Sequence, residues 1–545
     1  PTSAVKGIMK KKNLFLSLLA VALLASCGGG NTPTVSSSSE EPIVEPDDFE
    51  MITDLEETKE IHTEAMKTYL AYEGEYKTMP EDQYPDGSKS AMTDSNPLKV
   101  NLEWDHFVPE DKEVSSYTLT FGQDAELNDG FSVTGLTEKT VDLDNVFLGT
   151  NYFRITANYA DGTSDESNIR EFHVDETAPR NINIDGMTNC RDMGGRILPG
   201  GHKIRQGLIY RTSGVKGSNP AKITDTGVAT VKEQLGIKTE INVSDSDSAN
   251  GKDLGWDVIN CYMNYNQTSD RENKSTWHHF ARNCESIKDV FDVLADESRY
   301  PLMYHCRIGT DRTGLVAILV NGLLGVPLNE IYQDYLFSNF GKIQNKRYIG
   351  EKAGEDNIEN YMQEIAEMPG ETWANKTYNT LLAIGVEKEV LDQVIYFLTE
   401  GGEDELNNDN GQIVGMGSDL KGGVVKTSTT RDNPAEYFTL AAGDSLTYEF
   451  NTESAYDAYL TAYMGLNEFS KEKMLSDAIE VKLDGAALTV AEKNYFTCGF
   501  GSVSNRTCYY YNKIGEKNIE AGKHTLTLTS KVANLNVGGV AIFKK

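Results

Sequence analysis

Apolar positions change rhythm several times along the 545 residues. Residues 9–27, MKKKNLFLSLLAVALLASC, set lysines ahead of one apolar run too short to span a bilayer, then small residues up to Cys27. That pattern predicts an export signal over 1–27, and an uncleaved anchor is the competing reading. Residues 28–50 are Gly, Ser, Pro and acid with little to bury, which predicts a disordered linker. Over 51–95, Ile52, Leu55, Ile61, Met66, Leu70 and Tyr72 lie among charges at spacings that predict one amphipathic helix within 51–73, the rest irregular.

From 96 to 176 the rhythm becomes alternating, in KVNLEW, SSYTLTF, KTVDLD and NYFRITANY between turn residues, which predicts a β-sandwich. From 177 to 402, strands that read as buried (GLIYRTS, IKTEINV, PLMYH) alternate with helical stretches, the pattern of a sheet flanked by helices. From 403 to 545 strands return, as DSLTYEF, AYDAYLTAYM, AIEVKLDG, KHTLTLTS and VGGVAIFKK, predicting a second sandwich. The fold class is therefore multidomain: a central α/β (α+β) unit between two β-sandwiches.

A net charge of −32 sets the surface against nucleic acid and anionic lipid, and no basic run offsets it. Beyond Cys27 six cysteines remain, too few for a disulfide-built scaffold; Cys498 and Cys508 read either as a pair or as two independent thiols. His278, His279 and Cys284 lack metal-ligand spacing, so no metal and no cofactor is expected. The aromatics Tyr495, Phe496, Tyr509, Tyr510 and Tyr511 suit either stacking on sugar rings or ordinary packing.

The chemistry concentrates in HCRIGTDRTG, residues 305–314, between the apolar strand PLMYH and a helix that is apolar nearly all round. A strand-to-helix turn aims successive backbone N–H groups at one point and forms an anion site. Gly309 lets the backbone approach a phosphate, Gly314 lets the helix pack closely, and Arg312 offers a planar fork for two oxygens. A thiol in that field, Cys306, ionises near neutral pH and becomes a nucleophile.

Cys-x5-Arg followed by Thr-Gly resembles the signature loop of the protein tyrosine phosphatase superfamily. NCRDMGG at 189–195, HKIRQGLIYRTSGV, ITDTGVATVKEQLGIKTEINV and IYQDYLFSN resemble further segments of its bacterial members with an Asp-Arg-Thr-Gly loop, some dual-specificity or lipid-active, over about 200 residues. The resemblance implies Cys306 as nucleophile, Arg312 as phosphate-binding arginine and Asp311 as general acid, against a reading of Asp311 as a helix-dipole charge only. It implies His305, Arg307, Ile308, Gly309, Thr310, Thr313 and Gly314 around the bound phosphate, with Asn189, Arg191 and Asp192 bracing the loop. Asp245 and Asp247 are reserve acids.

Two departures stand out. Thr310 replaces a lysine often found in that family, which argues against phosphoinositide substrates. Asn242-Val243-Ser244 replaces its usual Asp-Leu-Arg, so other groups must support the pocket.

The ending Leu24-Ala25-Ser26-Cys27 resembles a lipoprotein lipobox, implying acylation of Cys27 and an anchored protein in the cell envelope facing away from the cytoplasm. Residues 96–176 resemble a fibronectin type III domain, with Trp104 in the core and the Tyr152 hydroxyl tying a corner; residues 403–545 resemble a jelly roll of carbohydrate-binding type. The function expected is a phosphatase acting on phosphotyrosine of a protein or on a small phosphomonoester, with glycans as partners of the C-terminal domain and membrane contact through the lipid alone. The alternative is a surface adhesion or glycan-binding protein on a phosphatase-like scaffold.

Overall fold

The computed structural model describes residues 48–216, 221–263, 280, 283–349, 358–401, 413–428, 435–466, 474–490 and 510–545. Cys27, Tyr495, Phe496, Cys498, Cys508, Tyr509, His278 and His279 lie outside them. Among the described residues no helix is long and apolar enough to cross a membrane.

The first folded region is a pair of antiparallel sheets. Phe49–Met51, Val100–His106 and Thr140–Leu143 form one, and the long strands Val114–Gly122 and Gly149–Tyr159 centre the other. Val100–His106 buries every second residue, as a half-buried strand must, and Trp104, Leu119, Phe153 and Phe172 fill the space between the sheets. The corner before Gly149–Tyr159 is tied by Asn151: its Nδ2 donates to the Phe147 carbonyl at 2.8 Å, and its Oδ1 accepts the Phe147 N–H at 2.9 Å. Tyr152, expected to do this through its hydroxyl, is only half-buried. A fully buried amide closes both ends of the turn, where a phenol closes one.

The helix expected within 51–73 is confined to Glu64–Leu70, capped by the Thr63 hydroxyl, which accepts the Met66 N–H. The stretch before it goes to the sandwich: Phe49–Met51 pairs with Val100–His106 and Lys59 bridges to Val174. Asp54 accepts the Glu56 N–H and stabilises a local turn that competes with helix.

The central unit is a five-stranded sheet in the order Asp257–Asn260, Thr239–Asn242, Leu302–His305, Ile209–Thr212, Arg191–Asp192. The first four are parallel and the last antiparallel. Such sheets require burial of both faces, and the helices Cys284–Leu294, Asp311–Leu323, Leu328–Phe337, Trp373–Ile384 and Lys388–Leu398 share one large apolar core with the strands. Asp311–Leu323 runs through its middle, buried at every position from Arg312 to Leu323.

Beyond it stands a second two-sheet region. Leu535–Lys544 and Tyr456–Leu466 centre one sheet, and Ser445–Thr452 and Gly522–Ser530 pair in the other over a separate core. Tyr510 and Tyr511 open the strand Tyr510–Ile519 of the first sheet. Tyr459, Tyr463 and Phe543 pack on Met368 and Ala383 of the central unit.

Candidate active site

The central strand Leu302–His305 ends where the helix Asp311–Leu323 begins, at the carboxyl edge of the parallel sheet where open α/β folds place ligands. The turn between them is tight because Gly309 takes φ +72° and lies against the Thr212 carbonyl, where a Cβ has no room. Cys306, 2% exposed, stands at its start, and its N–H donates to Thr313 Oγ1 at 2.8 Å. Burial alone pushes the Cys306 thiol up, but the Arg312 charge and hydrogen bonding from Thr313 outweigh it, and the thiol lies below the ordinary cysteine value.

A buried frame holds this loop. Asn189 Nδ2 and Arg211 Nη2 both donate to the Gly309 carbonyl, at 2.9 and 3.0 Å. Arg191 donates to Asn189 Oδ1 at 2.5 Å and to Asp334 Oδ1 at 2.8 Å, and Arg211 pairs with the other Asp334 oxygen. Burial opposes the Asp334 charge, yet the Arg191 and Arg211 guanidinium groups hold its carboxyl well below the usual range. Behind the strand, His305 Nε2 meets Glu240 Oε1 at 2.8 Å and its Nδ1 meets the Cys306 carbonyl at 2.8 Å. Burial works against a charge on His305, but the Glu240 carboxylate raises its pKa on balance.

The loop floors a cavity of about 370 Å³ lined by Asp245, Cys306, Arg307, Ile308, Asp311, Arg312, Gln344, Asn345 and Arg347. Asp311 is gripped side-on by Arg347, Nε to Oδ1 and Nη2 to Oδ2, both 2.8 Å. The Tyr335 hydroxyl adds a contact of 3.3 Å to Oδ1. On the opposite wall Asp245 Oδ1 lies 3.5 Å from Arg312 Nη1. Asn242 holds the Asp245 loop, accepting from Ser244 N at 3.0 Å and donating to the Ser246 carbonyl at 3.0 Å. The departure Asn242-Val243-Ser244 thus closes a turn on itself, and Arg211 supplies the supporting arginine from another strand.

Of the residues expected around a phosphate, Cys306, Arg307, Ile308, Asp311 and Arg312 line the cavity. His305 and Thr310 are fully buried behind it; Gly309 and Thr313 shape the loop; Gly314 packs its Cα face on Tyr335. Asn189 reaches the Gly309 carbonyl, and Arg191 reaches Asn189 and Asp334. Asp192, expected to brace the loop, pairs instead with Arg180 at 2.8 Å, and Arg180 donates to the Val146 and Asn145 carbonyls of the first sandwich. Its role is to join two regions of the chain. Asp247 turns away, accepting from the Tyr262 hydroxyl and Asn250. Glu240, Arg211, Asp334 and Arg347 were not singled out from sequence, although Glu240, Arg211 and Asp334 lie inside the quoted segments IKTEINV, GLIYRTS and IYQDYLFSN. Cys190 sits in a separate apolar cluster from Cys306, and burial pushes its thiol up to about 12. Among the described residues no three His, Cys, Asp or Glu gather as a metal site.

The Cys306 thiol thus stands on the floor of an arginine-lined cavity at the carboxyl end of a parallel sheet. Residues 182–398 match the model of the tyrosine phosphatase family. A Cupriavidus necator protein named as a candidate tyrosine-protein phosphatase is 26% identical over 185 residues, 31% of this chain and 68% of that protein. A tyrosine-protein phosphatase of Nostoc commune is 40% identical over 52 residues, 10% of this chain and 18% of that one. Among solved structures, the core catalytic domain of the PP-IP phosphatase SIW14 from S. cerevisiae matches 32% of this chain and 84% of its own, at 14% identity and TM-score 0.21. A family 35 carbohydrate binding module from Clostridium thermocellum matches 25% of this chain and 98% of its own, at 14% identity and TM-score 0.20. At those TM-scores neither structural likeness carries an argument. The sequence matches make the central unit a phosphatase enzyme.

Proposed function

We propose that the chain is an exported, lipid-anchored phosphatase that hydrolyses phosphotyrosine or related phosphomonoesters through a phosphocysteine at Cys306. The observation that carries this reading is the Cys306 thiol, lowered by Arg312 and Thr313 at the floor of the cavity. Its sulfur attacks phosphorus in line; the S–P bond forms as the P–O bond to the leaving group breaks, and Asp311 gives that oxygen its proton. Arg312 and the loop N–H groups hold the equatorial oxygens as charge redistributes. Water then attacks phosphorus, its proton passes to Asp311, and the S–P bond breaks. Thr313, whose oxygen already accepts the Cys306 N–H, turns its hydroxyl hydrogen toward the leaving sulfur.

Around this centre we read 96–176 as a fibronectin type III-like spacer and 403–545 as a carbohydrate-binding-type jelly roll with glycans as its ligand. Acylation of Cys27 puts the enzyme in the cell envelope, facing away from the cytoplasm. The test is hydrolysis of phenyl phosphate by the full chain. Activity lost in Cys306→Ser, with a phosphoenzyme trapped on Cys306 in the parent, supports the reading; a serine variant as active as the parent overturns it. Mass analysis of Cys27 from membranes decides the anchor.

A further inference from the structure

The wall that supplies Arg347 is held by a part of the chain far outside the segment 182–398. Residues 81–95 lie in sequence between the strands Phe49–Met51 and Val100–His106 of the first sandwich, yet they cross the central unit. The Gly87 carbonyl accepts the Ile343 N–H at 2.8 Å, and a Cβ on Gly87 would collide with the Ile343 side chain. Lys346 Nζ donates to the Glu81 and Tyr84 carbonyls at 2.6 and 3.0 Å and lies over the Tyr84 ring. The Tyr348 hydroxyl donates to Glu81 Oε1 at 2.8 Å. Ser90 Oγ donates to the Asn339 carbonyl at 3.0 Å, and Asn339 clasps the Arg347 backbone, accepting from its N–H at 2.8 Å and donating to its carbonyl at 3.1 Å. On the other side of the loop, Ser95 Oγ accepts the Asn189 N–H at 3.0 Å. Residues 343–348 are therefore fixed on both sides of Arg347 by the same crossing segment.

We propose that Arg347 is a positioning residue for Asp311, and that residues 81–95 form a strap that keeps Arg347 in place; this rests on the phosphatase reading above. A side-on guanidinium fixes both the plane and the reach of a carboxylate, which a single point charge does not. Proton delivery to a leaving oxygen depends on that reach. Arg347 thus acts through Asp311 and touches no reacting atom. The catalytic unit begins near residue 81, and a fragment starting at 177 lacks the part that aims its acid.

The experiment uses the full chain and two esters: phenyl phosphate, whose leaving group needs a proton, and p-nitrophenyl phosphate, whose leaving group scarcely does. Rates are taken per vanadate-binding site, so that a misfolded fraction drops out. Arg347→Gln is expected to lower kcat on phenyl phosphate by about tenfold or more and on p-nitrophenyl phosphate by less than about twofold, with KM little changed. It adds nothing in an Asp311→Asn background, because both changes remove one function. Arg347→Lys restores only part of the loss. The strap variant Ser90→Ala with Lys346→Met, which leaves every cavity residue intact, gives the same preference in weaker form.

Equal losses on the two esters, additivity with Asp311→Asn, or a change confined to KM would overturn the role of Arg347. A strap variant that matches the parent on both esters overturns the strap. A parent chain inactive on both, or equalled by Cys306→Ser, instead overturns the phosphatase reading itself.

Discussion

His305 and Glu240 form a fully buried ion pair, Nε2 to Oε1 at 2.8 Å, directly behind Cys306. Glu240 also accepts the Gly251 N–H and the Trp256 indole N–H at 2.6 Å, so its carboxylate is saturated, and the His305 ring is locked with Nδ1 on the Cys306 carbonyl. The histidine anchors the loop from behind. Because its folded pKa is raised above the unfolded value, its contribution to stability is fully present below pH ~6.5 and is lost as pH rises through the folded value. Urea unfolding between pH 6 and 9 is expected to show that decline, and Glu240→Gln to remove it while costing about 1–3 kcal/mol at pH 6. A parent stability flat over that range would contradict the charged pair.

The thiol itself gives a direct readout. Cys306 should alkylate with iodoacetamide at a rate that levels off below the pH at which a free cysteine does, and vanadate or phosphate should protect it. Arg312→Met removes the main opposing charge and should move the inflection upward, leaving burial to dominate. Mass mapping separates this site from Cys190, Cys261 and Cys284, which are buried as well.

Asp334 carries two arginines, Arg191 and Arg211, and through them the Gly309 carbonyl. Asp334→Asn leaves two buried guanidinium groups short of charge and should cost about 3–5 kcal/mol. The depressed Asp334 pKa makes its contribution present above the unfolded carboxylate value, near 3.9, and lost only as pH falls through the folded one. The variant's deficit in chemical unfolding should therefore be constant from pH 5 to 8; a deficit that vanishes at pH 5 would mean the pair does not carry the frame.

What was legible in the sequence was what lies close along the chain. Cys306, Asp311 and Arg312 share one strand-to-helix turn, and the cavity contains all three. Thr310 sits one residue from Asp311 yet is fully buried and is not among the residues that line the cavity. Glu240 and Arg211 lie on other strands, Asp334 on the helix Leu328–Phe337 and Arg347 beyond it, so no local spacing announces them. Asp192 shows the converse, a residue of a recognised segment put to joining regions through Arg180. The expected helix from residue 51 gave way to strand pairing at Phe49–Met51, since an open sandwich edge outweighs weak helical periodicity.

Gly309 offers the sharpest test of the loop geometry. Its φ of +72° is strained for any L side chain, by about 1–2 kcal/mol. A Cβ would also drive into the Thr212 carbonyl, which belongs to the strand Ile209–Thr212 in the interior of the sheet and cannot yield. The loop must give instead, and with it the Gly309 carbonyl leaves Asn189 and Arg211. Gly309→Ala should thus lower kcat by at least about 100-fold, as misplacement near a reacting group does, and push the Cys306 alkylation inflection toward that of a free thiol. Gly201→Ala is the control: its φ is +91° but nothing stands within 4 Å of a Cβ there, so only the strain remains. That variant should lose about 1 kcal/mol in urea unfolding and keep its activity. If the two variants behaved alike in both measurements, backbone strain alone would account for Gly309, and its packing against Thr212 would have no catalytic consequence.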